Sequence, residues 1–296
     1  MHKYMRAIGF STMESRKKLQ ELLTDAVIHA DRRSLARNQK NILVGEFCKD
    51  FAKGLGVAVC GELDEEDGFI YEYYYPYLDG TGITSYEDVS VERHADKESY
   101  AGVCDDIKVG ISLIFYLKDK IPYIRAEATN RLPVRGTTLT LSALSTGGTI
   151  LFPIQKDAEQ EQRVKKNSVA RNNLMAAARK GDEDAIETLT LEDMDMYTII
   201  SKRIQKEDVF SLVDTYFMPY GVECDQYSIL GEIMAMRLVT NEVTGEKIYI
   251  LTICCNELTF DVSVNIIDVY GEPQVGRRFK GVIWLQGSIN FPEEFA

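Results

Sequence analysis

Three basic side chains lie close together near the C-terminal end of the sequence. Arg277, Arg278 and Lys280 fall within a few residues of Trp284, the only tryptophan. Aromatic rings beside basic groups are the usual means of binding single-stranded nucleic acid. Residues 217–296 nevertheless contain 5 Lys and Arg against 11 Asp and Glu, and a lone tryptophan in a small barrel is more often a core residue. The three basic residues are candidate ligand-binding residues, and this charge balance disfavours nucleic-acid binding.

Alternating tyrosines form a second group of candidates. Tyr71, Tyr73, Tyr75 and Tyr77 would share one side of an extended chain, because side chains in a strand alternate between its two faces. An exposed row would be a surface for a partner protein, since tyrosine is enriched in interfaces. The favoured interpretation is a sheet face covered by a helical connector. Tyr71, Tyr73 and Tyr75 are included among the candidate ligand-binding residues.

The sequence contains no spacing typical of a metal, nucleotide or covalent catalytic site. The three histidines are far apart and the six cysteines form no C-x-x-C pair, whereas a zinc site needs several such ligands together. There is no G-x-S-x-G segment and no phosphate-binding GK[ST] loop. Gly54-Leu55-Gly56 lacks the third glycine and the following helix of a dinucleotide site. We therefore predict no catalytic residue, no metal and no cofactor.

Charge and composition restrict the classes of partner. A formal net charge of −12 disfavours nucleic acid and anionic membranes, whose binding depends on Lys and Arg. No apolar run approaches the roughly 18 residues of a membrane span, and no apolar stretch of a signal peptide follows the first residues. Most cysteines lie in apolar segments, where a free thiol acts as a small hydrophobic side chain. These features predict a cytoplasmic protein.

The N-terminal half is predicted to contain mainly antiparallel strands. Leucine and valine spacing predicts a helix over residues 13–30, with Ser11 or Thr12 as its cap, and a solvated polar turn over 31–40. A short helix is expected at 119–130. Strands are expected at 42–47, 57–63, 69–78, 86–92, 107–117, 137–144 and 149–154, the last two as a hairpin around Gly147-Gly148.

The composition changes at about residue 156. Residues 156–216 are rich in polar and helix-forming residues, which predicts a helical connector. Gly181 is a suitable helix stop, and Thr190 with Asp193 resembles a capping box that would start a further helix. In the last part, 217–296, glycines suit the sharp bends of a small barrel. Its strands are expected at 227–238, 247–255, 258–265 and 278–286.

These elements predict an α+β protein of three parts. Residues 1–155 would form a mostly antiparallel sheet with helices, and 156–216 a helical connector. Residues 217–296 would form a small β-barrel of four or five strands, OB-like or SH3-like. A small sandwich is the alternative architecture for this last part.

Several segments carry a family resemblance. They are RAIGF at 6–10, LSAL at 141–144, the run 217–231, TGE at 244–246, GRRFKG at 276–281 and WLQG at 284–287. These segments resemble a family of uncharacterised bacterial proteins of similar length, over nearly the whole chain. The resemblance implies a shared fold and no known activity, so it supplies no functional residues.

The leading hypothesis is a non-enzymatic intracellular binding or adaptor protein with a protein partner. The first alternative is an enzyme with a site near Glu62, Glu72, Tyr73 or His94, because a fold by itself does not exclude activity. The second alternative is single-stranded nucleic-acid binding by the C-terminal barrel.

Overall fold

A computed structural model describes residues 1–64, 68–93, 100–106, 112–132, 136–154, 170–178, 180–203, 210, 213–222 and 224–292. Its helices are a 3₁₀ helix at Lys3–Ile8, α1 Arg16–Ile28, α2 Lys120–Ala128, α3 Glu183–Arg203 and a short 3₁₀ helix at Ile266–Asp268; residues 170–178 are also helical. Its strands are β1 Arg32–Arg37, β2 Leu43–Ala52, β3 Leu55–Asp64, β4 Gly68–Leu78, β5 Val89–Arg93, β6 Tyr100–Cys104, β7 Leu113–Leu117, β8 Thr138–Leu151, β9 Tyr216–Pro219, β10 Gln226–Thr240, β11 Lys247–Cys255, β12 Leu258–Asn265, β13 Val269–Tyr270 and β14 Arg278–Asn290.

A closed five-stranded barrel lies at the centre of the structure. Its strands are neighbours in the order β8, β12, β11, β10 and β14, and β14 pairs with β8 to close the ring. β8 runs parallel to β12 and antiparallel to β14. The alternating apolar residues of each strand point inward, as Phe260 and Val262 do in β12. The structure therefore confirms the predicted α+β class and the predicted small barrel.

The strands β1 to β4 form a separate antiparallel sheet that packs against the outer wall of the barrel. The layer between them contains Val57 and Tyr75 from the sheet and Leu144, Ile250 and Trp284 from the barrel. Because one face of this sheet and part of the barrel wall are buried together, several barrel strands are covered on both of their faces. Trp284 is a core residue, as its type and strand position suggested.

Polar groups of the barrel wall bind the C-terminal end of β4. Ser142 Oγ donates a hydrogen bond to Leu78 O at 2.7 Å, and Gln286 Nε2 donates to Pro76 O at 2.8 Å. Buried polar side chains need such partners, since an unpaired one costs about 1–3 kcal/mol. These bonds fix where the small sheet rests on the barrel.

The remaining strands extend the sheet from different strands of the barrel. β14 pairs with β7, which continues to β6 and β5, and β9 pairs with β10. α2 follows β7 and contributes Ile121 and Ile124 to the core cluster of the barrel. Within the described residues, no helix is both long enough and apolar enough to cross a membrane.

The predicted hairpin at Gly147-Gly148 is wrong. One strand, β8, runs through both glycines and keeps its pairing with β14 on either side of them. A side chain at Gly148 would meet the ring of Phe279, because a Cβ there would lie 2.2 Å from Phe279 Cε2. The glycine marks a close approach of backbone and ring, which the sequence alone does not distinguish from a turn.

The predicted polar turn at 31–40 is also wrong over most of its length, because β1 forms there and pairs with β2. Only one of its residues is buried, so this edge strand lacks the apolar alternation that identifies a strand. The preceding helix begins later than predicted, and its cap is Ser15, whose Oγ accepts a hydrogen bond from Lys18 N at 3.4 Å.

The helix start predicted at Thr190 is wrong as well. α3 is one helix through this position, and Thr190 Oγ1 donates to Ile186 O at 2.7 Å. A threonine inside a helix can satisfy its hydroxyl in this way. The start of the strand predicted at 107–117 lies outside the described residues, and β7 covers its end. The division at residues 155 and 216 stays a prediction, although the barrel includes β8, which precedes residue 155.

The barrel closure generates a stability prediction. Gly148→Ala should lower the free energy of unfolding by about 1–3 kcal/mol, because its methyl group forces the Phe279 ring to move within a packed core. Gly147→Ala is the control, since the nearest atom to its Cβ, Asp268 O, is at an ordinary 3.4 Å. Urea unfolding of the two variants measures the difference. Equal stability would contradict the packing described for β8 and β14.

Candidate functional site

An open groove of about 420 Å³ lies on the outer wall of the barrel. Three barrel strands and the segment after β12 form its walls. We call it the barrel groove and define it by Thr146, Gly147, Gly148, Thr149, Ser228, Ile267, Asp268, Tyr270, Lys280, Gly281 and Val282. It combines glycine backbone, hydroxyl groups and both signs of charge, which suits a polar ligand.

The groove coincides with a break in strand pairing. On one edge of β8, β12 pairs as far as Ser145 and β13 resumes at Gly148. On the other edge, Ile283 pairs with Ser145 and Gly281 with Gly148. In the described part of the chain, neither edge therefore pairs the intervening residues 146 and 147. Such bulges expose backbone groups and are frequent beside functional sites.

A serine hydroxyl partly compensates for this break. Ser145 Oγ lies 2.8 Å from both Gly147 O and Val282 O, and its single proton can be donated to only one of them at a time. A carbonyl oxygen has two lone pairs, so these groups in the floor of the groove can also accept a hydrogen bond from a ligand or from water.

The charge of the groove is set by Lys280 and Asp268 in its lining and by Arg6, which contacts Asp268. Arg6 Nε donates to Asp268 Oδ2 at 2.5 Å, which neutralises this carboxylate. Lys280 Nζ lies 4.2 Å from the centroid of the Phe210 ring. That contact attracts a cation without neutralising its charge. The ammonium group is therefore the charged feature that the groove can present to an anion.

The sequence placed three basic residues together, but the structure gives each a different environment. Arg278 is buried, and its guanidinium donates to Phe152 O at 3.0 Å, Val213 O at 2.9 Å and Phe210 O at 2.8 Å. Arg277 lies over the Phe152 ring and donates to Glu272 O at 2.7 Å. Of the three, Lys280 alone lines the barrel groove.

The candidate tyrosines do not share one face. Tyr73 pairs with Cys60 and Tyr71 with Gly61, so a bulge at Glu72 separates them. Cys60 and Gly61 are adjacent in β3, so their side-chain positions face opposite sides of the sheet. Because paired residues of neighbouring strands share a side, Tyr71 points away from the side of Tyr73. Tyr71 is 49% exposed, whereas Tyr75 is buried.

Within the described residues, the segment from β7 to α2 contacts Tyr75 and Tyr73, whereas much of the predicted helical connector lies outside those residues. The rings of Tyr75 and Tyr116 lie 4.8 Å apart, and Lys120 Nζ donates to Tyr73 Oη at 2.5 Å. They therefore contribute to the packing of the small sheet. The barrel groove does not include them.

No motif or spacing in the sequence marks the groove residues outside β14 as part of a site. Ser228, Asp268 and Tyr270 are isolated polar residues in strands or turns. Gly147 and Gly148 did give a signal, but it was the one interpreted as a hairpin. Their position within an otherwise alternating strand indicates a bulge equally well.

A family model now adds to these observations. DUF3881, described as a domain of unknown function after an E. rectale gene, matches residues 5–287. The chain belongs to this family. No curated protein and no solved structure matches it. The match confirms the resemblance to uncharacterised bacterial proteins, and it assigns no role to any residue.

A buried polar cluster around Glu46 lies in the small sheet. Glu46 is 2% exposed, and its carboxyl accepts a hydrogen bond from Tyr75 Oη at 2.5 Å and a weaker one from Cys60 Sγ at 3.6 Å. Burial, assisted by the negative charge of Asp119, raises the pKa of Glu46 above its usual 4.5. Lys120 and the Tyr75 hydroxyl act in the opposite direction.

The residues named in the enzyme hypothesis lie in different environments. Glu62 is half-buried in β3 and Glu72 is exposed in β4. Tyr73 belongs to the cluster through its contact with Lys120, and His94 lies outside the described residues. In the described part of the chain, no three His, Cys, Asp or Glu side chains are grouped as a metal site would require.

The cysteines are free thiols in this structure. Cys254 is half-buried and its neighbour Cys255 is buried, as expected for adjacent residues of one strand. Burial raises the pKa of Cys255 to about 12 and that of Cys104 to about 11. Thiols with raised pKa are poor nucleophiles at neutral pH, so these two have a structural role.

The raised pKa of Glu46 generates a pH prediction. A carboxyl whose pKa is higher in the folded state than in the unfolded state loses folding stability as the pH rises above its usual 4.5. Glu46→Gln should therefore match the wild type in acid and become the more stable form towards neutral pH. Unfolding by urea at a series of pH values measures this, with the exposed Glu21→Gln as control. A wild type that gains stability over Glu46→Gln with rising pH would contradict the assignment.

Proposed function

We propose that this protein is a non-enzymatic binding protein and that its ligand occupies the barrel groove. The observation that carries the proposal is the interruption of β8 pairing beside Lys280, because it exposes backbone hydrogen-bonding groups next to a charged side chain. A volume of about 420 Å³ is within the usual size of small-molecule sites, about 300–1,000 Å³.

The lining of the groove favours a small polar ligand with one anionic group. A carboxylate or phosphate can pair with Lys280, while the hydroxyls of Ser228 and Thr149 provide further hydrogen bonds. Val282 and the ring of Tyr270, which is 78% exposed, offer apolar contact. The net charge of −12 repels anions at long range, so a single anionic group is favoured over a highly charged ligand.

An anionic ligand would have to replace the present contact of Lys280 with Phe210. A cation–π contact at an exposed site contributes about 0.5–1 kcal/mol. A hydrogen bond between charged groups contributes about 1.5–3 kcal/mol. The exchange therefore favours the ligand, and Phe210 would hold the ammonium group near the groove until a ligand arrives.

The Glu46 cluster is the observation that would favour an enzyme, because perturbed pKa values gather at catalytic sites. Glu46 is buried and is not among the groove residues, so no ligand in the groove can touch it. We therefore prefer binding. We further propose the cytoplasm as its location, which is supported by six free cysteines in one chain.

Lys280→Gln tests the binding proposal. Probes are small carboxylates, sugar phosphates and mononucleotides, screened by thermal shift and then measured by calorimetry. Loss of the charged partner should weaken the binding of a probe by tenfold or more, about 1.4 kcal/mol or more. Arg277→Gln is the matched control, because Arg277 is nearby but does not line the groove. Equal binding of a probe by the two variants would contradict the proposal. The absence of binding by every probe would also contradict it. Turnover of a probe that is lost in Glu46→Gln would favour the enzyme alternative.

A further inference from the structure

The strand β1 forms an accessible edge of the small sheet. Among the described residues it pairs with β2 alone, and five of its six residues are exposed. Leu35, in the middle of the strand, is 41% exposed. An accessible strand edge of this kind is where an extended peptide can add a further strand.

The direction of the backbone groups follows from the end of the β1–β2 pair. Asn38 N donates to Ile42 O at 2.9 Å, which makes these two residues a hydrogen-bonded pair. Hydrogen-bonded and non-hydrogen-bonded pairs alternate along an antiparallel ladder. The even-numbered residues of β1 therefore bond to β2, and the N–H and C=O groups of Arg33, Leu35 and Arg37 point to the open edge.

One backbone contact supports this direction. Arg125 Nη2 of α2 donates to Leu35 O at 3.2 Å from outside the β1–β2 ladder. An added strand would have to displace this exposed hydrogen bond. An exposed bond of this kind contributes little net free energy, because water replaces either partner.

The side chains of the edge carry uncompensated positive charge. Arg33 Nη2 donates to Ile28 O at 2.7 Å and Arg37 Nη1 to Asn41 O at 2.9 Å. Carbonyl groups satisfy these donors without neutralising their charge. The surrounding segment is also basic, since residues 1–53 contain 11 Lys and Arg against 6 Asp and Glu in a chain that totals 34 against 46.

We propose that the β1 edge binds an extended acidic peptide segment by strand addition. Arg33 and Arg37 flank Leu35 on one side of the strand, because alternate residues share a face. The matching peptide has acidic residues four positions apart, opposite the two arginines, with an apolar residue midway opposite Leu35. A peptide is favoured over a nucleic acid because the edge offers alternating N–H and C=O groups, which match a peptide backbone.

The test uses fluorescent synthetic peptides and the full chain. One peptide has glutamates four positions apart around a central valine, and its partner has lysines in their place. Fluorescence anisotropy should show binding of the glutamate peptide that is at least tenfold tighter than binding of the lysine peptide. Single-stranded oligothymidylate is the third probe. Stronger binding of oligothymidylate than of the glutamate peptide would overturn the proposal.

Leu35→Pro separates strand addition from simple charge attraction. Proline removes the N–H that points to the open edge, and it is tolerated in edge strands. The β1–β2 ladder does not use this N–H, so thermal unfolding should change little. Binding of the glutamate peptide should fall at least tenfold in Leu35→Pro and much less in Leu35→Ala. Equal binding by both variants would overturn the proposal.

Charge reversal provides a second test of specificity. The double variant Arg33→Glu with Arg37→Glu should lose the glutamate peptide and gain the lysine peptide. Arg237→Glu, at an exposed position of β10, is the control and should leave the preference unchanged. If neither peptide binds the wild type, the arginines only protect the edge against aggregation and the proposal fails.

Discussion

The structure depends on β8, which closes the barrel by pairing along both of its edges. Its inward residues, among them Leu139 and Leu141, are part of the barrel core. Its outward residues support the small sheet, through the packing of Leu144 and the hydrogen bond of Ser142. Without β8 the barrel would become an open sheet with two exposed edges, and both cores would lose one wall. The N-terminal and C-terminal parts of the chain therefore stabilise each other.

The groove follows from the same closure. β8 is parallel to one neighbour and antiparallel to the other, and these two ladders have different hydrogen-bond spacings. β12 ends its pairing at Ser145, a 3₁₀ turn intervenes, and β13 resumes at Gly148, while β14 skips the same stretch. The difference in hydrogen-bond spacing between the two ladders is thus taken up in a single short segment of β8. That segment leaves backbone groups exposed beside Lys280. A feature that closes the fold also creates a polar groove on its surface.

Charged groups inside the structure are held by specific partners rather than by general polarity. Lys118 is buried, donates to Leu78 O and lies 3.7 Å from Asp79 Oδ1, and burial lowers its pKa. Arg278 likewise uses its guanidinium to join three backbone carbonyls. Such groups cost free energy to bury, so they favour one arrangement of the strands over alternatives in which their partners are missing. By contrast, Lys280 in the barrel groove contacts an aromatic ring, and Arg33 and Arg37 at the β1 edge donate to carbonyl groups that leave their charge in place.

The sequence by itself determined the elements whose pattern is local. The bounds predicted for β11 and β12 agree with the structure, because the apolar run of β11 and the apolar–polar alternation of β12 are local patterns of strands, even though most of the polar residues of β12 are also buried. Only the tertiary structure decided what the candidate residues do. Tyr71 left its predicted face because a bulge shifted the register, and Arg278 left the predicted binding patch because distant carbonyls surround it. The groove combines residues from 146 to 282, and long-range strand register brings them together. No local pattern encodes that register, since it depends on the pairing of strands that are far apart in the chain.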